Sequence, residues 1–227
     1  MNIVSLSGGY DSTLLLYKLV KEGLDVTGVY CDVPLVDSNK KRIELESIEQ
    51  LKSSGLISFD FYKLILKCDQ PQFGVISWEG GIPQQALWAT ALILFAPHNS
   101  TIYFGYHHGD DFFHFHGYIE NIRQAICPLL GKEISIKYPF EWVKKSCIVA
   151  TVRKCGLEKY VWTCEEPEND KPCGKCLPCR NLAVADFAIS IGGDFSQLVP
   201  INYKDNSEGE VVAKVDISEK DLLPSVS

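Results

Sequence analysis

The stretch that decides the fold lies at the N-terminus, where residues 2–19 read NIVSLSGGYDSTLLLYKL. Residues 3–6 form a short apolar run that predicts a strand, and residues 11–22 carry leucines at helical spacing. Two adjacent glycines, Gly8 and Gly9, lie between the predicted strand and helix. A strand that passes through a glycine turn directly into a helix is typical of the first unit of an α/β fold.

The same alternation continues along the chain. Apolar runs predict four further strands, at residues 25–31, 59–66, 101–106 and 133–138. Helical periodicity predicts helices at residues 39–53, 83–95, 115–130, 144–155 and 182–191. This order predicts a parallel sheet with helices on both faces.

The composition changes near residue 160 and suggests three parts. Residues 1–160 hold the predicted α/β domain. Residues 161–192 hold a Cys- and Pro-rich segment followed by a helix, and residues 193–227 form an acidic tail.

The charge balance disfavours two classes of partner. The chain has 22 Lys and Arg against 29 Asp and Glu, a net charge of −7. Such a chain lacks the positive field that attracts nucleic acids or anionic membranes. Its longest apolar stretch, about 11 residues, is too short to span a bilayer. With no secretory signal pattern at the N-terminus, we expect a cytoplasmic protein.

The glycine turn itself predicts a phosphate site. Glycines let the backbone approach a ligand closely, and the first N–H groups of the following helix point at the same place. The alternative is an ordinary helix cap, made by Asp11 or Ser12. The residues of the loop are Ser7, Gly8, Gly9, Tyr10, Asp11 and Ser12.

Four closely spaced cysteines predict a metal site. Two CxxC steps and one further cysteine suit tetrahedral zinc with four thiolate ligands, which leaves no open position and makes the metal structural. Free cysteines, a redox pair and an iron–sulfur cluster are the alternatives. The four are Cys164, Cys173, Cys176 and Cys179.

Together the two motifs resemble a known family. The SGGxDS loop is similar to that of the PP-loop ATP pyrophosphatases, and the cysteine pattern resembles 7-cyano-7-deazaguanine synthase, the QueC family. The similarity extends to Trp162-Thr163-Cys164 and Pro172-Cys173-Gly174-Lys175-Cys176, and covers roughly residues 1–191. It implies a Rossmann-like fold of the adenine nucleotide alpha hydrolase type, with ATP, Mg²⁺ and Zn²⁺ as cofactors.

The resemblance also implies an activity. Such carbon–nitrogen ligases use ATP and ammonia to convert 7-carboxy-7-deazaguanine into an amide and then a nitrile, in queuosine biosynthesis. They release AMP and pyrophosphate. The family pattern places the phosphates on the loop of residues 7–12 and Mg²⁺ near Asp11, and it places adenine and ribose near Tyr30 and Cys31. Lys145 matches a phosphate-contacting lysine, although a solvated helix-start lysine is the alternative.

Two departures from the family bear on the substrate. Gln84 stands where the family has an arginine, and residues 107–116 replace the segment that grips the deazaguanine. The replacement holds four of the five histidines. We predict His107 as a general base and Asp110 as a second catalytic carboxylate. A second metal site or a plain surface loop is the alternative for this segment.

The departures leave other functions open. A diverged QueC-like protein, of the kind found beside anti-phage defence genes, would join the activated deazaguanine to an amine of a partner protein. The same fold also serves tRNA thiolation, and a non-catalytic nucleotide-binding subunit is possible. The resemblance further implies a homodimer.

Overall fold

The computed structural model of the chain describes residues 1–33, 38–66, 84–107, 110 and 116–192. The strands are β1 (Asn2–Ser5), β2 (Val26–Asp32), β3 (Asp60–Ile65), β4 (Ser100–Tyr103) and β5 (Ile134–Lys137). The helices are α1 (Tyr10–Lys21), α2 (Ser38–Ser53), α3 (Gln84–Phe95), α4 (His116–Leu129), α5 (Lys145–Lys154) and α6 (Leu177–Ser190). A short 3₁₀ turn (Glu158–Tyr160) follows α5.

The five strands form one parallel sheet in the order β3-β2-β1-β4-β5. This confirms the predicted α/β class. The chain leaves β1 for β2 on one side and later returns to β4 on the other. The order therefore reverses between β1 and β4, and in open parallel sheets ligands bind outside the carboxyl ends of the strands at that point.

Two apolar layers cover the two faces of the sheet, because alternate residues of each strand point to opposite sides. Val4 packs in a layer with side chains of α1, α2 and α5, among them Leu15, Leu51 and Val149. Its neighbour Ile3 packs on the other face, with side chains of α3 and α4. The centres of both layers are fully buried. This packing holds in place the strand ends at which the site is built.

Helix α6 corrects one sequence prediction. The helix was expected at residues 182–191, but it begins at Leu177 and ends at Ser190. Cys176 is the N-cap, and Pro178 lies in the first turn, where its missing N–H costs no hydrogen bond. Pro178 and two of the four cysteines, Cys176 and Cys179, therefore belong to the start of a helix rather than to a loop. In the described part of the chain, no helix has the length and apolar character needed to cross a membrane.

Candidate active site

The loop between β1 and α1 needs glycine for a steric reason. Gly8 adopts φ +77°, and a Cβ at this position would lie 3.0 Å from the carbonyl oxygen of Glu44. The carbonyl of Gly8 accepts a hydrogen bond of 2.8 Å from the backbone N–H of Trp162. The loop is thereby held between α2 and the segment that leads to the cysteines.

We expect Gly8→Ala to destabilise the fold, because both the positive φ and the contact with Glu44 oppose a side chain. A cost of about 2 kcal/mol corresponds to a melting temperature lower by about 4–8 °C for a chain of this size. Gly9→Ala is the matched control, since its Cβ would lie 3.4 Å from the nearest atom, Ser7 Oγ. Equal melting temperatures for the two variants, measured by circular dichroism, would contradict the assignment.

The serine hydroxyls of the loop bond to one another. Ser12 Oγ lies 3.1 Å from Ser7 Oγ and accepts the backbone N–H of Ser7 at 3.1 Å. No side chain caps α1, whose N-cap is Gly9. The alternative of an ordinary cap by Asp11 or Ser12 is therefore not what the structure shows. The positive end of the helix dipole faces the loop uncapped, as an anion site requires.

Four predicted catalytic residues meet beside this loop. Lys145, the first residue of α5, donates to Asp11 Oδ2 at 2.5 Å. His107 Nε2 lies 3.7 Å from Asp11 Oδ1 and 3.9 Å from Asp110 Oδ2. The close approach depends on Gly105, where a Cβ would lie 3.0 Å from the backbone of Asp11.

One oxygen of this cluster is left over. Asp11 Oδ1 is buried and has no hydrogen-bond partner among the described residues. Buried carboxylate oxygens are almost always paired, so an unpaired one at a phosphate loop fits a site that is completed by a ligand. Carboxylate oxygens are also the ligands that Mg²⁺ prefers. Asp11 Oδ1 and Asp110 thus have the chemistry to hold that ion.

A buried carboxylate next to the loop was missed by the sequence analysis. Glu44 is 7% exposed and its Oε2 accepts a 2.7 Å hydrogen bond from the hydroxyl of Tyr30. Burial raises the pKa of Glu44 and also that of Tyr30. Lys40 Nζ lies 3.7 Å from Glu44 Oε1. A signal was present, because Glu44 occupies the same helical stripe as the buried Ile48 and Leu51.

Cys31 follows Tyr30 on β2 and lines the same cleft. Burial raises the pKa of the Cys31 thiol to about 12. The group is therefore a neutral thiol at neutral pH, and a thiol is a poor nucleophile. Such a side chain is suited to apolar contact rather than to nucleophilic attack.

We expect Cys31→Ser to keep turnover within about threefold of the wild type, since the thiol takes no part in chemistry. The rate of pyrophosphate release would measure this. A hundredfold loss with an unchanged melting temperature would restore Cys31 as a reactive residue. Cys147→Ser, at a half-buried cysteine of α5 outside the cleft, controls for general sensitivity to serine.

A single cleft joins all of these groups. Trp88 of α3 lines one wall, and its buried indole Nε1 finds no acceptor in the described ranges. Phe104 and Tyr106, stacked with ring centroids 5.3 Å apart, lie after β4. The remaining lining includes Ser7, Gly9, Tyr10, Asp11, Ser12, Tyr30, Glu44, Gln84, His107, Asp110, Lys145, Trp162, Leu177 and Asn181.

The substituted segment 107–116 is described only in part. His107 and Asp110 face the cleft, as predicted. His116 stacks on Tyr138 with centroids 3.7 Å apart, and burial lowers its pKa. His108, Asp111 and His114 lie outside the described residues, as do Ile82, Pro83 and the tail 193–227. The alternative of a second metal site in this segment stays untested, because its candidate ligands include Asp111 and His114, which lie outside the described ranges.

The four clustered cysteines converge as predicted. Their sulfur atoms all lie within 4.8 Å of one another, and Cys164 and Cys176 Sγ are 3.9 Å apart. Tetrahedral ligands at a Zn–S distance of about 2.3 Å lie roughly 3.8 Å apart, so the sulfurs fit this ion. None of the four forms a disulfide. In the described part of the chain this is the one cluster of three or more metal-ligand residues.

Backbone N–H groups prepare one of these sulfurs to bind a cation. Cys173 Sγ accepts the N–H of Cys176 at 3.3 Å, and Gly174 takes φ +72° to make the turn. The N–H groups of Lys175 and Cys176 lower the pKa of Cys173 to about 7. Burial raises the pKa of Cys164 and Cys179, so those thiols favour the neutral form without a cation. A metal would supply the missing positive charge.

Comparison with known proteins supports the resemblance. Residues 100–186 match the family described as queuosine biosynthesis protein QueC. No curated protein matches the chain significantly. The matched range runs from β4 into α6 and contains His107, Asp110, Lys145 and the four cysteines. This match is consistent with a QueC-like PP-loop protein, and the fold of the described residues is α/β.

Proposed function

We propose that the chain is an ATP-dependent ligase that adenylates a carboxylate, 7-carboxy-7-deazaguanine, for attack by ammonia. The observation that carries the proposal is the cluster at the loop, where Lys145, Asp11 and His107 converge beside an uncapped helix N-terminus. The family match supports an ATP-using enzyme of this general kind. The choice of acid and amine is the part that needs testing.

The first step uses the loop and Lys145. A carboxylate oxygen of the acid attacks the α-phosphorus of ATP, and the bond to pyrophosphate breaks. The N–H groups at the start of α1 and the ammonium of Lys145 neutralise the charge that develops on the phosphate oxygens. Mg²⁺, held by Asp11 Oδ1 and Asp110, would screen the phosphates when bound.

The second step uses His107. Ammonia attacks the acyl carbon, the C–N bond forms, and the bond to AMP breaks. The nitrogen must lose a proton, and His107, which lines the cleft, has a ring nitrogen suited to accept it. Asp11 and Asp110, at 3.7 and 3.9 Å, stabilise the imidazolium that results.

The nitrile requires a second activation. The amide oxygen attacks the α-phosphorus of a second ATP, and the bond to pyrophosphate breaks. The nitrogen then loses both of its protons, and AMP leaves with the former amide oxygen, which gives the C≡N bond. Water would hydrolyse either adenylate, so the walls of the cleft must exclude it. Trp88, Phe104 and Tyr106 supply flat surfaces suited to a heterocycle.

The test is a coupled assay on zinc-loaded protein with Mg-ATP and 7-carboxy-7-deazaguanine. AMP, pyrophosphate and product mass are measured with and without ammonium. We expect amide and nitrile with ammonium, and pyrophosphate release that depends on the acid. Bound ATP without pyrophosphate release would overturn the proposal in favour of another acid or a binding subunit.

A second acceptor is favoured by one observation. The segment 107–116 departs from the family at the place where the deazaguanine is gripped. In this version an amine of a partner protein, as in an anti-phage defence system, replaces ammonia. AMP formation without a free nitrile, together with a mass adduct on a protein, would identify it. A homodimer is also expected, and light scattering would test it.

A further inference from the structure

Tyr10, the first residue of α1, makes a second contact with the lysine of the site. The side chain of Tyr10 is 5% exposed, and the residue lines the cleft. The Lys145 ammonium lies over the face of its ring, 5.8 Å from the centroid. An ammonium within about 6 Å of an aromatic centroid is attracted by the negative face of the ring. Lys145 therefore contacts two neighbours in the sequence, the ring of Tyr10 and the carboxylate of Asp11.

The hydroxyl at the other end of the Tyr10 ring is anchored away from the lysine. It donates to Glu158 Oε1 at 3.3 Å, and the same oxygen accepts Arg153 Nε at 2.7 Å. Arg153 also pairs with Asp186 of α6 at 2.7 Å. Burial raises the pKa of Tyr10 to about 12, so the hydroxyl keeps its proton near neutral pH and remains a donor. The ring is thus tied to the 3₁₀ turn after α5, and its face is turned to Lys145.

We propose that Tyr10 is a positioning residue, whose ring holds the Lys145 ammonium toward the phosphate loop before the nucleotide binds. A lysine side chain is a flexible stem that loses rotamer freedom when its ammonium is held in one place. If Tyr10 and Asp11 already restrain it, less freedom is lost when the phosphates bind, and their affinity rises. The inference rests on the proposed function, because it takes Lys145 to contact the phosphates.

The alternative is that Tyr10 only fills the core, and the same helix contains a matched control for that role. Tyr17 lies about two turns later on α1 and packs in the same apolar layer as Tyr10. It is 8% exposed, and Lys21 Nζ lies over its ring, 5.4 Å from the centroid. Tyr17 is not among the described residues that line the cleft. The two tyrosines therefore share helix, burial and a lysine contact, and they differ in their place relative to the candidate site.

Calorimetric titration of the full, zinc-loaded chain with inorganic pyrophosphate and Mg²⁺ tests the proposal. We expect Tyr10→Leu to weaken binding by about five- to thirtyfold, the factor that corresponds to a cation–π contact of about 1–2 kcal/mol. Tyr10→Phe keeps the ring and should recover most of the affinity lost with leucine. Tyr17→Leu should keep the affinity within about twofold, even if its melting temperature falls as far. Equal losses of affinity for Tyr10→Leu and Tyr17→Leu would overturn the proposal.

A second series keeps the shape of the ring, so it does not depend on the folding of Tyr10→Leu. Tyr10 is replaced by phenylalanine and by mono-, di- and trifluorinated phenylalanine, which weaken the negative face of the ring stepwise. Pyrophosphate affinity should fall stepwise with the number of fluorine atoms, and a flat series would overturn the proposal.

The role of the lysine is tested by repeating the series in a Lys145→Ala background. There the fluorine atoms should have no effect, because the ring acts through Lys145. A stepwise fall that persists would show that the ring contacts the ligand itself, and it would overturn the positioning role. Wild-type protein that binds no pyrophosphate would overturn the phosphate site as a whole. A stepwise fall without turnover of the acid would support the role of Tyr10 and contradict only the proposed substrate.

Discussion

Lys145→Ala is expected to lower kcat/KM for pyrophosphate release by about 10²–10³-fold, the range seen when one charge-stabilising donor is removed. The Lys145 ammonium lies 2.5 Å from Asp11 Oδ2, beside the uncapped start of α1. In the proposed reaction it is thus placed where negative charge develops on the phosphates. Its pairing with Asp11 holds the side chain toward the loop before ATP binds, so little reorganisation is needed.

Asp11→Asn should cause a loss of similar size. If the two residues act as one unit, the double variant Asp11→Asn/Lys145→Ala should be little worse than either single variant. Circular dichroism would confirm that each variant folds. If the fold-loss of the double variant equals the product of the two single fold-losses, Lys145 and Asp11 act separately.

Lys144→Ala is the matched control. Lys144 is the neighbouring lysine and N-cap of α5, but its side chain makes no capping bond and does not line the cleft. We expect activity within about twofold of the wild type, as for a surface substitution away from the site. If the loss for Lys144→Ala equals that for Lys145→Ala, general loss of positive charge explains both. The contact between Lys145 and Asp11 at the loop would then have no specific role in the activity.

The fold was predictable because the decisive signals are local. Each strand is a short apolar run, and each helix shows its own periodicity, so the α/β class follows from the sequence. The strand order was not stated from the sequence, because periodicity does not say which strands are neighbours. Helix α6 was placed five residues late, since a helix start that contains Pro178 and two cysteines looks like a loop.

The sequence indicated the parts of the candidate site that depend on glycines and charged residues. It did not indicate the parts that depend on burial. Asp11, Lys145, His107 and Asp110, chosen from the sequence, lie close together in the structure. Glu44 was hidden in a charged helix, because the sequence does not show that Tyr30 lies against it. Trp88 and Trp162 line the cleft through tertiary packing alone.

The cleft also weighs against tRNA thiolation. That chemistry needs a sulfur-carrying cysteine at the nucleotide site. Within the described ranges, Cys31 is the one cysteine that lines the cleft, and burial raises its pKa to about 12. The four clustered cysteines form a separate group, in which all sulfur atoms lie within 4.8 Å of one another. The sulfur atoms present are therefore better suited to hold an ion than to transfer sulfur.

Two hydrogen bonds of Trp162 connect the cysteine cluster to the glycine loop. Trp162 lies two residues before Cys164, and its indole N–H donates to the Cys164 carbonyl at 2.8 Å. The backbone N–H of Trp162 donates a hydrogen bond to the carbonyl of Gly8. Loss of the metal should therefore loosen the phosphate loop as well as the cysteine segment.

Cys164→Ser is expected to reduce bound zinc from about one ion per chain to less than about 0.1, because a structural site needs all four thiolates. Cys164 is fully buried, and its Sγ lies 3.9 Å from Cys176 Sγ, so the substitution removes one ligand from within the cluster. We expect the melting temperature to fall by more than about 10 °C, since the free energy of metal binding is part of the folding free energy. ATP affinity should fall at least tenfold through Trp162 and Gly8. Cys155→Ser, at the end of α5 and outside the cluster, should keep the metal and the ATP affinity. Wild-type protein that holds no zinc by elemental analysis, or that shows visible absorption from an iron–sulfur cluster, would overturn the zinc assignment.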